Sequence, residues 1–74
     1  MHEGESLTRL AHAEALWGCG RAPEALHAIE AARVGLLERA ERLGAADVRY
    51  GFLSRVPENA AILRHAQEWP KIAP

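Results

Sequence analysis

Two histidines are the residues of this chain whose type and spacing come nearest to a chemical site. His12 and His27 fall at similar levels on two helices predicted on either side of a short turn, so both could contact one metal ion. A zinc site needs three or four ligands, and both side chains project away from the apolar faces of their helices. We therefore expect two solvated histidines and no metal site.

The single cysteine offers no better chemistry. Cys19 lies between Gly18 and Gly20 at the predicted end of the first helix, where the negative pole of the helix dipole does not favour a thiolate. The sequence has no Gly-rich phosphate loop, H-E-x-x-H motif or paired cysteines. We expect no catalytic residue, metal or cofactor, and hence not an enzyme.

Charge and composition restrict the classes of partner. The 74 residues carry a net charge of −1, with nine basic residues interspersed among ten acidic ones, which disfavours nucleic acid. The N-terminus lacks a basic start followed by an apolar run, and no apolar segment approaches the roughly 18 residues of a spanning helix. The sequence predicts a soluble cytoplasmic protein that does not enter a membrane. Because so short a chain buries only about 60% of its surface on folding, oligomerisation or further chain would help to stabilise it.

An all-α fold is predicted, because Ala and Leu dominate and no segment alternates with the period of a strand. We predict one domain, 1–74, with an antiparallel helical hairpin followed by two shorter capping helices. The four helices run from Ser6 as N-cap to Gly18, from Pro23 to Leu43 with Gly44 as C-cap, from Asp47 as N-cap to Ser54, and from Pro57 to Trp69. Pro70 should end the last helix and leave 70–74 frayed.

Arg33 interrupts the apolar face of the long second helix. A helical projection places it between Ala40 and Leu26, in the middle of an otherwise apolar arc. One interpretation is that its stem packs on the core while the guanidinium reaches the edge. The other is an ion pair with a carboxylate of a neighbouring helix or a second chain.

The first helix has two apolar stripes. Ala13 and Leu16 are suited to facing the second helix, with Ala13 small enough for close approach. The second stripe, which we call the first-helix stripe, consists of Leu7, Leu10, Glu14 and Trp17. It is either covered by the third or fourth helix or exposed as an intermolecular surface.

The hairpin resembles a tetratricopeptide repeat in residue type and spacing over residues 6–39. The matching positions are Leu10, Ala13, Leu16, Gly20, Glu24, Ala25, Leu26, Ile29 and Ala32. Leu37 stands where the family usually has the proline that ends a repeat. Residues from 47 onward give no second repeat, and 50–66 resemble the closing segments of repeat arrays in large bacterial regulators.

This resemblance implies a non-catalytic scaffold that binds a protein or peptide. Its groove would fall on the first-helix stripe, and with Arg33 the predicted partner-binding residues are Leu7, Leu10, Glu14, Trp17 and Arg33. The alternative is a homo-oligomer that pairs through the same stripe, or one part of a longer repeat array. A helix-turn-helix DNA reader is a remote alternative, since Glu24 and Glu30 would face phosphates.

Overall fold

The computed structural model describes residues 5–73, which form four α-helices joined by short turns. In chain order these are α1 (Glu5–Gly18), α2 (Ala22–Glu41), α3 (Ala46–Arg55) and α4 (Pro57–Ile72). No strand occurs within the described range, so the predicted all-α class with about four helices is confirmed. None of these helices combines the length and the apolarity needed to cross a membrane.

A glycine turn folds α1 back against α2. Gly20 has φ 78°, a left-handed conformation that strains any residue with a Cβ. Its N–H donates to the carbonyl oxygen of Trp17 at 3.1 Å, and the N–H of Arg21 donates to that of Leu16 at 3.0 Å. These two bonds satisfy carbonyls that the end of α1 would otherwise leave unpaired.

The ends of the hairpin helices differ slightly from the prediction. Ser6 is not the N-cap, because α1 already begins at Glu5 and the hydroxyl of Ser6 instead accepts a hydrogen bond from Arg39. α2 ends at Glu41 rather than Leu43, since its last turn tightens before Gly44, whose φ of 81° agrees with the predicted glycine cap.

The last two helices also require corrections. Asp47 lies within the first turn of α3, and the N-cap position belongs to Ala45, which has no side-chain cap. Pro70 does not end α4, which continues to Ile72, so the prediction of a frayed segment is wrong for 70–72. A proline this close to the end removes little backbone pairing, and burial of Trp69 holds the last turn against the core. Pro74 lies outside the described residues.

The core forms where α4 lies across the hairpin. α4 contacts both α1 and α2, while α3 contacts α2 and α4. The buried cluster draws on α1, α2 and α4 and consists of Leu10, Ala13, Ala25, Ile29, Ala32, Leu36, Ile62 and Trp69. α3 adds only half-buried contacts through Phe52 and Leu53, and its Val48 is exposed.

A buried asparagine joins α3 to α4. Asn59, in the first turn of α4, donates from Nδ2 to the carbonyl oxygen of Phe52 at 2.9 Å, while its Oδ1 is buried without a partner among the described residues. Phe52 is in the last turn of α3, whose carbonyls have no partner within the helix. The side chain therefore fixes the angle at which α4 leaves α3.

We expect Asn59→Asp to destabilise the fold more than Asn59→Ala. Alanine loses one hydrogen bond but also removes the unpaired oxygen, for a net loss of about 1–2 kcal/mol in the free energy of unfolding. Aspartate keeps the shape and directs a carboxylate at a carbonyl oxygen, which adds a buried, unpaired charge. Urea unfolding would measure both variants, with the exposed Gln67→Ala of α4 as the control. Equal stability of the two Asn59 variants would contradict the hydrogen bond.

Candidate functional site

Small residues bring α1 and α2 into close contact and leave the hairpin with two faces. Ala13 of α1 and Ala25 and Ala32 of α2 are fully buried. Side chains this small let two helices approach closely, so the axes lie near each other and the larger residues point to either side. One face is covered by α4, and the other is open.

The covered face holds most of the first-helix stripe. Leu10 is buried in the same cluster as Ile62 and Trp69 of α4. The Glu14 carboxylate lies 2.9 Å from Nε2 of His65, also on α4. Leu7 remains exposed, and the Glu14 side chain stays half-exposed beside its contact with His65.

Trp17 completes this contact through a stack of three rings. Its indole lies parallel to that of Trp69, with ring centroids 4.5 Å apart and an interplanar angle of 3°. The His65 imidazole stacks on Trp69 at the same centroid distance, 4.5 Å, and 11°. Trp69 therefore contacts a ring from each side, and aromatic pairs of this kind add about 0.5–1.5 kcal/mol each beyond their buried area. Three of the five predicted partner-binding residues, Leu10, Glu14 and Trp17, thus belong to the contact with α4.

Arg33 is held within its own helix rather than by a neighbouring one. Its Nε donates to Oε1 of Glu30 at 2.9 Å, one turn earlier in α2. This hydrogen bond lowers the pKa of the Glu30 carboxyl below its usual value and raises that of the guanidinium. The structure does not bring Arg33 together with the first-helix stripe.

The arginine that does bridge two helices is Arg39. Its Nη1 donates to Oε2 of Glu5 at 2.6 Å and its Nη2 to the Ser6 hydroxyl at 2.8 Å, so it ties the start of α1 to the last turns of α2. Its side chain is only 20% exposed, which protects the pair from solvent. Sequence reasoning missed this contact, because it singled out Arg33, the other arginine of α2, for its place in the apolar arc.

We expect Arg39→Ala to lower the free energy of unfolding by about 1 kcal/mol, because two half-buried hydrogen bonds are lost. Arg33→Ala, the matched control on the same helix, should leave it almost unchanged, because solvent screens the ion pair between Arg33 and Glu30. Amide hydrogen exchange at residues 9–12, whose N–H groups bond to the carbonyls of the first turn of α1, should be faster in the Arg39 variant alone. Equal effects of the two variants would show that the bridge contributes nothing.

The open face contains a groove of about 830 Å³, which we call the open groove. Its apolar lining includes Leu16 of α1 and Ala28 and Ala31 of α2. The remaining lining residues are Thr8, Arg9, His12, Arg21, Pro23, Glu24 and His27. The two histidines singled out in the sequence thus lie along the same groove. Within residues 5–73, no three His, Cys, Asp or Glu side chains are grouped closely enough to hold a metal ion.

The open groove has a sequence signal that the search for large apolar residues overlooked. Ala28 and Ala31 lie at i and i+3 along α2, so small residues form the α2 side of the groove. Small side chains there leave a depression beside Leu16 instead of filling it. The first-helix stripe was the more conspicuous pattern, but its apolar side chains face α4.

No protein-family model, no curated protein and no solved structure matches this chain.

Proposed function

We propose that this chain is a non-catalytic protein-interaction module, related to tetratricopeptide units, that binds a protein or peptide in its open groove. The observation that carries the proposal is the asymmetry of the hairpin. α4 covers one face, while the other retains a concave, mainly apolar surface between two helices. Grooves between helices are among the places where proteins hold ligands and peptide segments.

The binding surface in this proposal differs from the first-helix stripe. A partner on the stripe would have to displace α4, breaking the stack between Trp17 and Trp69 and the contact between Glu14 and His65. The open groove requires no such rearrangement. Leu7 and Arg33 remain accessible at the edges of the hairpin and could extend a contact, but they do not line the groove.

The wider role follows from the resemblance of residues 50–66 to closing segments of repeat arrays in bacterial regulators. It supports placing the module in a cytoplasmic regulatory or signalling protein, where it would recruit a partner or continue a longer array. The alternative is that the same surface binds a second copy of this chain.

Photo-crosslinking tests the proposal in cells that express the protein naturally. A benzophenone amino acid would replace His27, at the open groove, and in a control protein Arg64, on the exposed side of α4. We expect a protein adduct from the first site and none from the second. Ala28→Trp, which fills the groove, should abolish the adduct while circular dichroism stays unchanged. An adduct of twice the chain mass would show self-association, and equal adducts at both sites would overturn the proposal.

A further inference from the structure

The open groove has the shape to receive the side chains of a helix. It runs between α1 and α2, and α1 alone is about 21 Å long at 1.5 Å per residue. Its apolar lining has one large side chain, Leu16, beside Pro23, Ala28 and Ala31. Small side chains between two helices leave room for large apolar side chains from outside, as when the ridge of one helix packs into the groove of others.

The rim of the groove carries a small positive charge although the whole chain is slightly acidic. With histidines counted as neutral, as in the chain's net charge of −1, Arg9 and Arg21 exceed the single lining carboxylate, Glu24, by one charge. Arg9 already donates from Nε to Glu5 at 3.4 Å and keeps its other N–H groups for a second acceptor. Arg21 bonds Glu24 through Nε at 2.7 Å, and a guanidinium has further N–H donors that can reach a second carboxylate. The acidic excess of the chain therefore lies away from the groove.

We propose that the occupant of the open groove is an acidic amphipathic helix of a partner protein. Its apolar face would place large side chains on Leu16, Ala28 and Ala31. Aspartates and glutamates beside that face would pair with Arg9 and Arg21. This inference rests on the proposed function and specifies the chemistry of the partner.

A second copy of the chain fits the groove less well. A two-fold interface brings the same patch of both copies together, so each basic rim would face its own counterpart. The exposed helical surface of α4 offers no acidic excess either, since Glu58 and Glu68 are balanced by Arg64 and Lys71. Charge complementarity thus favours a foreign acidic helix.

Titration with two synthetic peptides tests this inference on the full chain. Both peptides share one helical face of leucine and alanine, and the remaining positions are glutamate in one and lysine in the other. Backbone amide shifts in ¹⁵N-labelled protein would report binding. We expect the glutamate peptide to shift residues around Leu16, Ala28 and Ala31 and to bind at least about tenfold more tightly than the lysine peptide. Raising the salt from about 50 mM to about 500 mM should weaken its binding severalfold, because added ions screen exposed charges.

Charge reversal provides the matched control. Arg9→Glu combined with Arg21→Glu should remove the preference for the glutamate peptide, whereas Arg55→Glu with Arg64→Glu, an equal change of charge on exposed residues of α3 and α4, should preserve it. The inference would be overturned by equal affinity for both peptides, by preference for the lysine peptide, by shifts confined to other helices, or by no shifts at all.

Competition in the crosslinking experiment distinguishes the acidic-helix inference from the proposed function. A groove adduct in cells that the glutamate peptide does not block leaves the proposed function standing and removes only the acidic helix.

Discussion

Trp69→Ala should remove about 3–5 kcal/mol from the free energy of unfolding, the usual cost of truncating a buried aromatic residue to alanine. Trp69 is 5% exposed, and it stacks on Trp17 from α1 and on His65 from its own helix. A domain of this size has a total stability of roughly 4–11 kcal/mol. The loss is at least about a quarter of that stability and, at the lower end of the range, all of it, so unfolding followed by far-ultraviolet circular dichroism should show a clearly lowered midpoint.

Trp17→Ala is the matched control, because it makes the same substitution at the indole that stacks on Trp69. Trp17 is only half-buried, so we expect a smaller loss of about 1–2 kcal/mol and a folded protein. Urea unfolding followed at 222 nm would compare the two. If Trp17→Ala were the more damaging change, the centre of the contact would be Trp17 and not Trp69.

Ile62→Ala should have the second largest effect, a loss of about 2–5 kcal/mol. Ile62 is fully buried in the middle of α4, in the cluster that contains Ile29 and Leu36 of α2. Truncation would leave a cavity between α4 and the hairpin that neither rigid helix can close. Because α4 covers the first-helix stripe, this variant should also increase the exposure of Trp17, visible as a red shift of tryptophan fluorescence.

Ile72→Ala provides the control for that experiment. It makes the same chemical change at the exposed end of the same helix, where the side chain is 67% accessible. We expect a change within about 0.5 kcal/mol and no shift in fluorescence. Similar losses from both variants would mean that α4 does not pack on the hairpin through Ile62.

Much of the fold could be predicted because its determinants act over short distances along the chain. Gly20 and Gly44 take the left-handed conformations expected of glycines at helix ends. The close contact between α1 and α2 follows from the buried alanines Ala13 and Ala32, as predicted. The prediction that Pro70 ends α4 was wrong because of a contact distant in the chain. Burial of Trp69 in the core holds the last turn in place although proline disfavours a helix.

The candidate site could be predicted only in part, for a related reason. Helical periodicity placed Leu10, Glu14 and Trp17 on one face, but it could not say what that face meets. Their cover comes from α4, more than 40 residues further along the chain, through His65 and Trp69. The open groove was missed because it is defined by the face that α4 leaves uncovered.

The sequence by itself determined the helical class, the number of helices and the glycine turn of the hairpin. Helix propensity, hydrophobic periodicity and helix-ending residues all act between near neighbours in the chain. Only the tertiary structure decided which faces meet, that Arg39 and not Arg33 bridges two helices, and where a groove remains. These outcomes depend on the angle between α3 and α4, which Asn59 helps to fix, and on the packing of surfaces distant in the chain. Local patterns show which residues share a helix face, but they do not show what that face contacts.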